Sequence, residues 1–157
     1  MAYQVLLNFL LLLGLCVSLR AKADVTTPTP CDDKAENIAI VKEVRVTDCK
    51  EQPCILKRKA QTKFEIDFVP AKNADNLTIS AYGRIGTVDI PWPGQDSKSC
   101  NMKKFNVECP LESGKPINYI NLVNVAATYP PIPVDVKWVI KLDDTIVACF
   151  LVKVKIQ

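Results

Sequence analysis

This 157-residue chain predicts an all-β fold, an antiparallel β-sandwich, from three features. Short segments alternate strictly between apolar and charged or polar residues, which is the period of a half-buried strand. Eleven prolines and clusters of turn-forming residues separate those segments at regular spacing. No segment carries the three-to-four spacing of an amphipathic helix.

The chain opens on a leader. Residues 5–17 are apolar apart from Asn8, a stretch too short for a membrane span, and Ala21 and Ala23 follow in an A-x-A arrangement. A signal peptide over residues 1–23, cut before Asp24, is therefore expected, leaving one domain over residues 24–157. About 134 residues suit a single domain with a real core. A Thr/Pro tether at 26–30 precedes a first strand at 38–46. Lys57-Arg58-Lys59, with Lys63 nearby, reads as a solvated turn. Phe64-Glu65-Ile66-Asp67-Phe68 alternates without a break, as does Leu77-Thr78-Ile79-Ser80-Ala81, and Lys72-Asn73-Ala74-Asp75 turns the chain between them.

Segment 83–93 ends in Trp92 clamped between Pro91 and Pro93. Neither proline can donate to a sheet ladder, so this piece is expected at an edge or mouth and not as a central strand. Trp92 is then a ring at a pocket mouth or a plug at the end of the core. A turn follows at Pro93-Gly94-Gln95-Asp96. In the strand at 116–125 the apolar residues switch parity between Tyr119 and Ile120, which predicts a bulge or burial on both faces. Thr128-Tyr129-Pro130-Pro131-Ile132-Pro133 holds a second aromatic rigidly beyond a strand. Val134-Asp135-Val136-Lys137-Trp138 alternates again, Asp143-Asp144 reads as a hairpin turn, and 148–156 closes the sandwich. An immunoglobulin domain proper is not expected: its core Trp follows soon after the first bridging cysteine, whereas Trp138 lies 11 residues before the last one.

Chemistry is limited by what is missing. The chain has no histidine, which removes the usual general base, the usual metal ligand and every Ser-His-Asp or Cys-His arrangement. No enzyme activity, cofactor or metal is expected. Removing Arg20 and Lys22 with the leader leaves 18 basic residues against 17 acidic, a net charge near +1, so nothing drives the chain toward nucleic acid. Cys16 leaves with the leader as well. Six cysteines remain, an even number in an oxidising compartment, with connectivity open. Asn76-Leu77-Thr78 is the one N-x-S/T sequon of the mature chain, and Asn76 is an expected glycosylation site.

The order Cys31, Val44-Arg45-Val46 before Cys49, Gln52-Pro53-Cys54-Ile55-Leu56, Ile90-Pro91-Trp92-Pro93, Cys100, Cys109-Pro110, Tyr129-Pro130, Val136-Lys137-Trp138 and Cys149 resembles the Niemann-Pick type C2 family. These are secreted sterol carriers of the wider ML class, the MD-2-related lipid-recognition domains, which also includes mite group 2 allergens. The resemblance implies an immunoglobulin-like β-sandwich of two antiparallel sheets with a lipid pocket between them. It also implies disulfides Cys31–Cys149, Cys49–Cys54 and Cys100–Cys109. Trp92, Val125 and Tyr129 would stand at the pocket mouth, Phe64, Ile66 and Phe68 on one inner face, and Trp138 and Phe150 deeper.

The function implied is a secreted or lysosomal monomer that carries a sterol without chemistry and hands it to a membrane or an acceptor protein. The segment 98–109 and the Gly94-Gln95-Asp96 tract differ from the vertebrate pattern and are more similar to arthropod members, among which are carriers of fatty acids and semiochemicals. A third reading is an innate-immune module for microbial lipids such as lipopolysaccharide, marked by a basic rim of Lys57, Arg58, Lys59 and Lys63.

Overall fold

In the computed structural model, residues 25–31, 40–93 and 98–157 are described; the expected signal peptide, Cys16 and Gly94-Gln95-Asp96 lie outside them. The strands are β1 (Val25–Thr26), β2 (Thr29–Pro30), β3 (Val41–Val46), β4 (Cys54–Leu56), β5 (Ala60–Phe68), β6 (Leu77–Ile85), β7 (Val88–Pro91), β8 (Ile117–Val125), β9 (Pro133–Leu142) and β10 (Thr145–Ile156). One sheet runs β1-β3-β5-β8 and the other β2-β10-β9-β6-β7, with β4 beside the end of β10. All pairings are antiparallel except β4 with β10, where Cys54 faces Val154.

Alternation decides which side chains fill the space between the sheets. On β5 Phe64, Ile66 and Phe68 are fully buried, while Glu65 and Asp67 between them point outward. On β9 Val134, Val136, Trp138, Ile140 and Leu142 form one inward file, and on β10 Phe150, Val152, Val154 and Ile156 form another. Outward charges pair along the four-stranded sheet: Arg45 meets Glu43 at 2.9 Å, Glu65 at 3.1 Å and Asp67 at 2.7 Å.

The alternating strands of the sequence are all present, most of them longer than the pattern that signalled them. Residues 143 and 144 turn β9 into β10 with φ of 46° and 67°, the positive pair a tight hairpin requires. Asp143 also accepts from the backbone N–H groups of Asp75 and Asn76 at 3.1 and 2.9 Å, so its carboxylate ties the hairpin to the start of β6. Lys57, Arg58 and Lys59 are exposed between β4 and β5, and Lys59 has φ of 62° at the turn.

Two expectations are corrected. Strand β8 has neither a bulge nor two buried faces: its register with β5 runs unbroken from Ile117 opposite Phe68 to Val125 opposite Ala60. Tyr119, Asn121, Val123 and Val125 face inward and Leu122 is exposed, so the parity switch reflects a polar Asn121 turned into the core. The bulges lie elsewhere, between Val41 and Glu43 and between Ile146 and Ala148. Segment 83–93 is also only partly an edge. Gly83, Arg84 and Ile85 continue β6, which lies between β9 and β7, and the edge begins at Val88.

Three disulfides staple the sandwich: Cys31–Cys149 across 118 residues, Cys49–Cys54 across 5 and Cys100–Cys109 across 9. These are the pairings that the family resemblance implied.

Candidate functional site

One end of the sandwich opens into an apolar hollow of about 200 Å³. Its walls come from the inner face and rim of the six-stranded sheet and from the proline-held loops beyond it. Gly83 and Ile85 contribute from β6, Ile90 from β7, and Ile132, Val134 and Ile156 from the ends of β9 and β10. Trp92 and Tyr129 both line it and pack directly against each other, ring centroids 5.6 Å apart at 87°, the edge-to-face geometry that aromatic quadrupoles favour.

Trp92 does more than line a wall. Its backbone N–H donates to Ala81 O at 3.0 Å, anchoring it to the six-stranded sheet, and its indole Nε1 donates to Asn124 O of β8 at 3.0 Å. The side chain thus bridges the two sheets at the mouth. Both readings left open for it hold in part: it borders the hollow and is itself 94% covered, at 6% exposure. The prolines on either side deny the chain a ladder there, which frees the ring to turn across the gap.

The other residues expected at the site are placed as follows. Val125, next to Asn124 on β8, is buried and is not among the residues lining the hollow. Phe64, Ile66, Phe68, Trp138 and Phe150 are fully buried deeper in the core, with Phe64 and Trp138 at 5.2 Å between centroids and Trp138 opposite Phe150 in register. Sequence reasoning missed Gly83, Ile85, Ile90, Ile132, Val134 and Ile156. A glycine inside a strand pattern was the available signal, since it marks close approach by another group.

Charge holds the mouth's edge strand from outside. Arg84 donates to both carboxylate oxygens of Asp89, at 2.6 and 3.1 Å, and Lys137 Nζ reaches the same group at 2.8 Å. Arg84 above all, and Lys137 after it, outweigh partial burial and hold the Asp89 carboxyl at about 2. On the other sheet partial burial pushes Asp67 up, but hydrogen bonds from Arg45 and Asn118 more than offset it and keep the carboxyl below its ordinary value.

A carboxylate with a depressed folded-state pKa contributes stability that is fully present above its unfolded value, about 3.9. For Asp89 that contribution is lost as pH falls from about 4 toward 2. With no histidine in the chain, the melting temperature is expected to stay level between pH 7.5 and 5 and to drop below pH 4. Asp89→Asn should unfold earlier at neutral pH and show a shallower acid limb; thermal unfolding at a series of pH values reads both.

The ML-domain family model matches residues 26–156, nearly the whole described chain. This chain belongs to the ML-domain family. Its relatives include the Ecdysteroid-regulated 16 kDa protein of Manduca sexta, 31% identical over 131 residues, which span 82% of this chain and 87% of that one. NPC intracellular cholesterol transporter 2 of Bos taurus is 30% identical over 132 residues, 84% and 86% of the two chains. A Niemann-Pick type C2 protein from the Japanese carpenter ant shares the fold, with a TM-score of 0.73 at 20% identity over 83% of this chain and 99% of that one. The immunoglobulin-like sandwich is therefore the family's. Among the described residues no helix is long and apolar enough to cross a membrane.

Proposed function

We propose that this ML-domain chain is a secreted, non-catalytic carrier that takes a sterol between its two sheets through the Trp92–Tyr129 mouth. The observation that carries this reading is the bridging indole of Trp92, seated over an apolar hollow between two proline-held loops. The bovine relative's description as a cholesterol transporter supports the sterol. At about 200 Å³ the hollow falls short of the roughly 300–1,000 Å³ of pockets that enclose a small ligand. Uptake therefore widens the gap between the sheets, with Phe64, Ile66, Phe68, Trp138 and Phe150 becoming walls and Val125 the flank of the mouth.

The driving force is burial. A ligand that hides about 300 Å² of apolar surface gains roughly 7 to 8 kcal/mol before costs, which suits micromolar or tighter affinity. Release is served by what surrounds the mouth. Ile85, Val88 and Ile90 are exposed along the edge hairpin. The basic turn lies at the same end, where the N–H groups of Arg58 and Lys59 donate to Gln157 O and Val125 O. An apolar fringe beside cations suits brief contact with an anionic membrane or an acceptor protein. Fatty acids or semiochemicals would fit the same apolar walls.

Native mass spectrometry of the protein secreted from a eukaryotic host tests this directly. The expected result is a one-to-one lipid adduct, a sterol on extraction, and displacement of it by added sterol. A protein that emerges without lipid and binds neither sterol nor fatty acid would overturn the carrier. The same spectrum before and after glycosidase reports whether Asn76, exposed at the start of β6, carries a glycan, as we expect.

A further inference from the structure

Strand β8 is a sheet edge whose backbone is left open. It pairs with β5 alone and ends the four-stranded sheet. In an antiparallel strand the N–H and C=O of one residue point to the same side, and successive residues alternate sides. The Lys59 N–H, at the start of β5, donates to Val125 O at 2.7 Å, so the odd-numbered residues of β8 face β5. The even-numbered ones, Asn118, Ile120, Leu122 and Asn124, face away from it. At both ends that outer side is occupied: Asn106 Nδ2 donates to Asn118 O at 3.2 Å and Trp92 Nε1 to Asn124 O at 3.0 Å. Between them the backbone groups of Ile120 and Leu122 meet no partner among the described residues.

Open edges are ordinarily blunted by charge, proline, a bulge or a covering strand. Strand β7 carries Asp89 and ends in Pro91, β3 is partly overlaid by β1, and β10 is flanked by β2 and β4. Strand β8 has none of these devices. Its nine residues include no charged side chain and no proline, its register is unbroken, and Leu122 is 50% exposed.

The outward side chains indicate what fits there. Asn118, Ile120, Leu122 and Asn124 read the same in both directions, amide, aliphatic, aliphatic, amide, as a strand that pairs antiparallel with its own copy requires. About a two-fold axis at Asn121, Ile120 lies opposite the partner's Leu122 and Leu122 opposite the partner's Ile120, and both pairs exchange N–H to carbonyl bonds. Charge agrees with that register. On β5 Lys63 lies opposite Leu122 and Glu65 opposite Ile120, so each row across the joined sheets starts at a cation and ends at the partner's anion.

We propose that β8 is a self-association edge, at which two copies of this chain join their β8 strands antiparallel into one continuous sheet, with four strands from each copy. The contact is small, so the dimer is weak and forms at about 100 µM and above. It stands in equilibrium with the monomer expected from the sequence. Trp92 sits beside Asn124, near the end of β8, so antiparallel pairing points the two mouths in opposite directions and leaves each open to lipid.

Sedimentation equilibrium of the intact protein from about 10 µM to about 1 mM measures the association. Leu122→Glu, at an exposed position, adds an anion to a row that ends at the partner's Glu65, and is expected to weaken dimerisation at least about tenfold. Ile146→Glu, at a similarly exposed aliphatic on β10, should leave it unchanged. Amide hydrogen exchange gives a second reading that needs no variant: the Ile120 and Leu122 N–H groups should exchange several-fold more slowly at about 1 mM than at about 20 µM. A protein that stays monomeric throughout would overturn the proposal and leave the edge to a strand of another protein. So would a dimer that Leu122→Glu does not weaken, or one in which the Ile120 and Leu122 amides keep their monomer rates.

Discussion

Replacing both cysteines of the Cys31–Cys149 bridge with alanine is expected to lower stability by about 5 kcal/mol, against about 2 for the Cys49–Cys54 bridge. The difference follows from loop length. The first bridge closes 118 residues and the second 5, so the first removes far more freedom from the unfolded chain. It also ties the N-terminal segment to β10, where the Cys31 N–H donates to Cys149 O at 3.2 Å. Since a domain of this size holds only about 5–15 kcal/mol in total, the variant should melt roughly 15 °C lower and approach the point of unfolding at body temperature. Urea unfolding of the two double variants side by side checks the ranking. Equal losses from the long and the short bridge would defeat the loop-length account.

Filling the hollow from Gly83 is expected to weaken lipid uptake strongly while leaving the fold intact. A Cβ built on Gly83 would stand 3.5 Å from Val134 Cγ1 and 3.8 Å from the Trp92 ring, ordinary packing distances. Gly83→Ala should therefore bind lipid nearly as the wild type does and lose no stability. Gly83→Leu carries the side chain on into the space between Val134, Trp92 and Tyr129, where a ligand would pass. We expect its affinity for a fluorescent sterol to fall about 100-fold, equivalent to about 2.7 kcal/mol, with a melting temperature close to that of Gly83→Ala. A displacement titration on the three proteins measures it. Undiminished binding by Gly83→Leu would mean that the lipid enters elsewhere.

Much of the frame could be read from the residues themselves. Strict alternation in β5, β6 and β9 reports a single physical condition, one wet face and one dry, and needs no knowledge of the partner strand. The turn at Asp143-Asp144 and the edge position of Ile90-Pro91-Trp92 are likewise local, set by backbone angles and by a missing donor. Strand β8 was harder. Asn121 goes inside because the Tyr119 hydroxyl two residues away accepts from its amide, and Ile120 and Leu122 are left on the outer side. Apolar periodicity cannot register a buried polar pair, because the pair's stability comes from mutual hydrogen bonding and not from leaving water.

The candidate site divides along the same line. That two aromatic rings are held by prolines is a property of the sequence, as are the six cysteines beyond residue 24 and the absence of histidine. That Trp92 crosses from one sheet to β8 of the other, that Gly83 and Ile156 share its hollow, and that Trp138 meets no acceptor for its N–H among the described residues depend on groups far apart in the chain. Sequence by itself settles which surfaces must leave water, because hydrophobicity and backbone restriction belong to each residue. Only the tertiary structure decides which of them meet and which donor goes without a partner, because that depends on how two twisted sheets are set against each other.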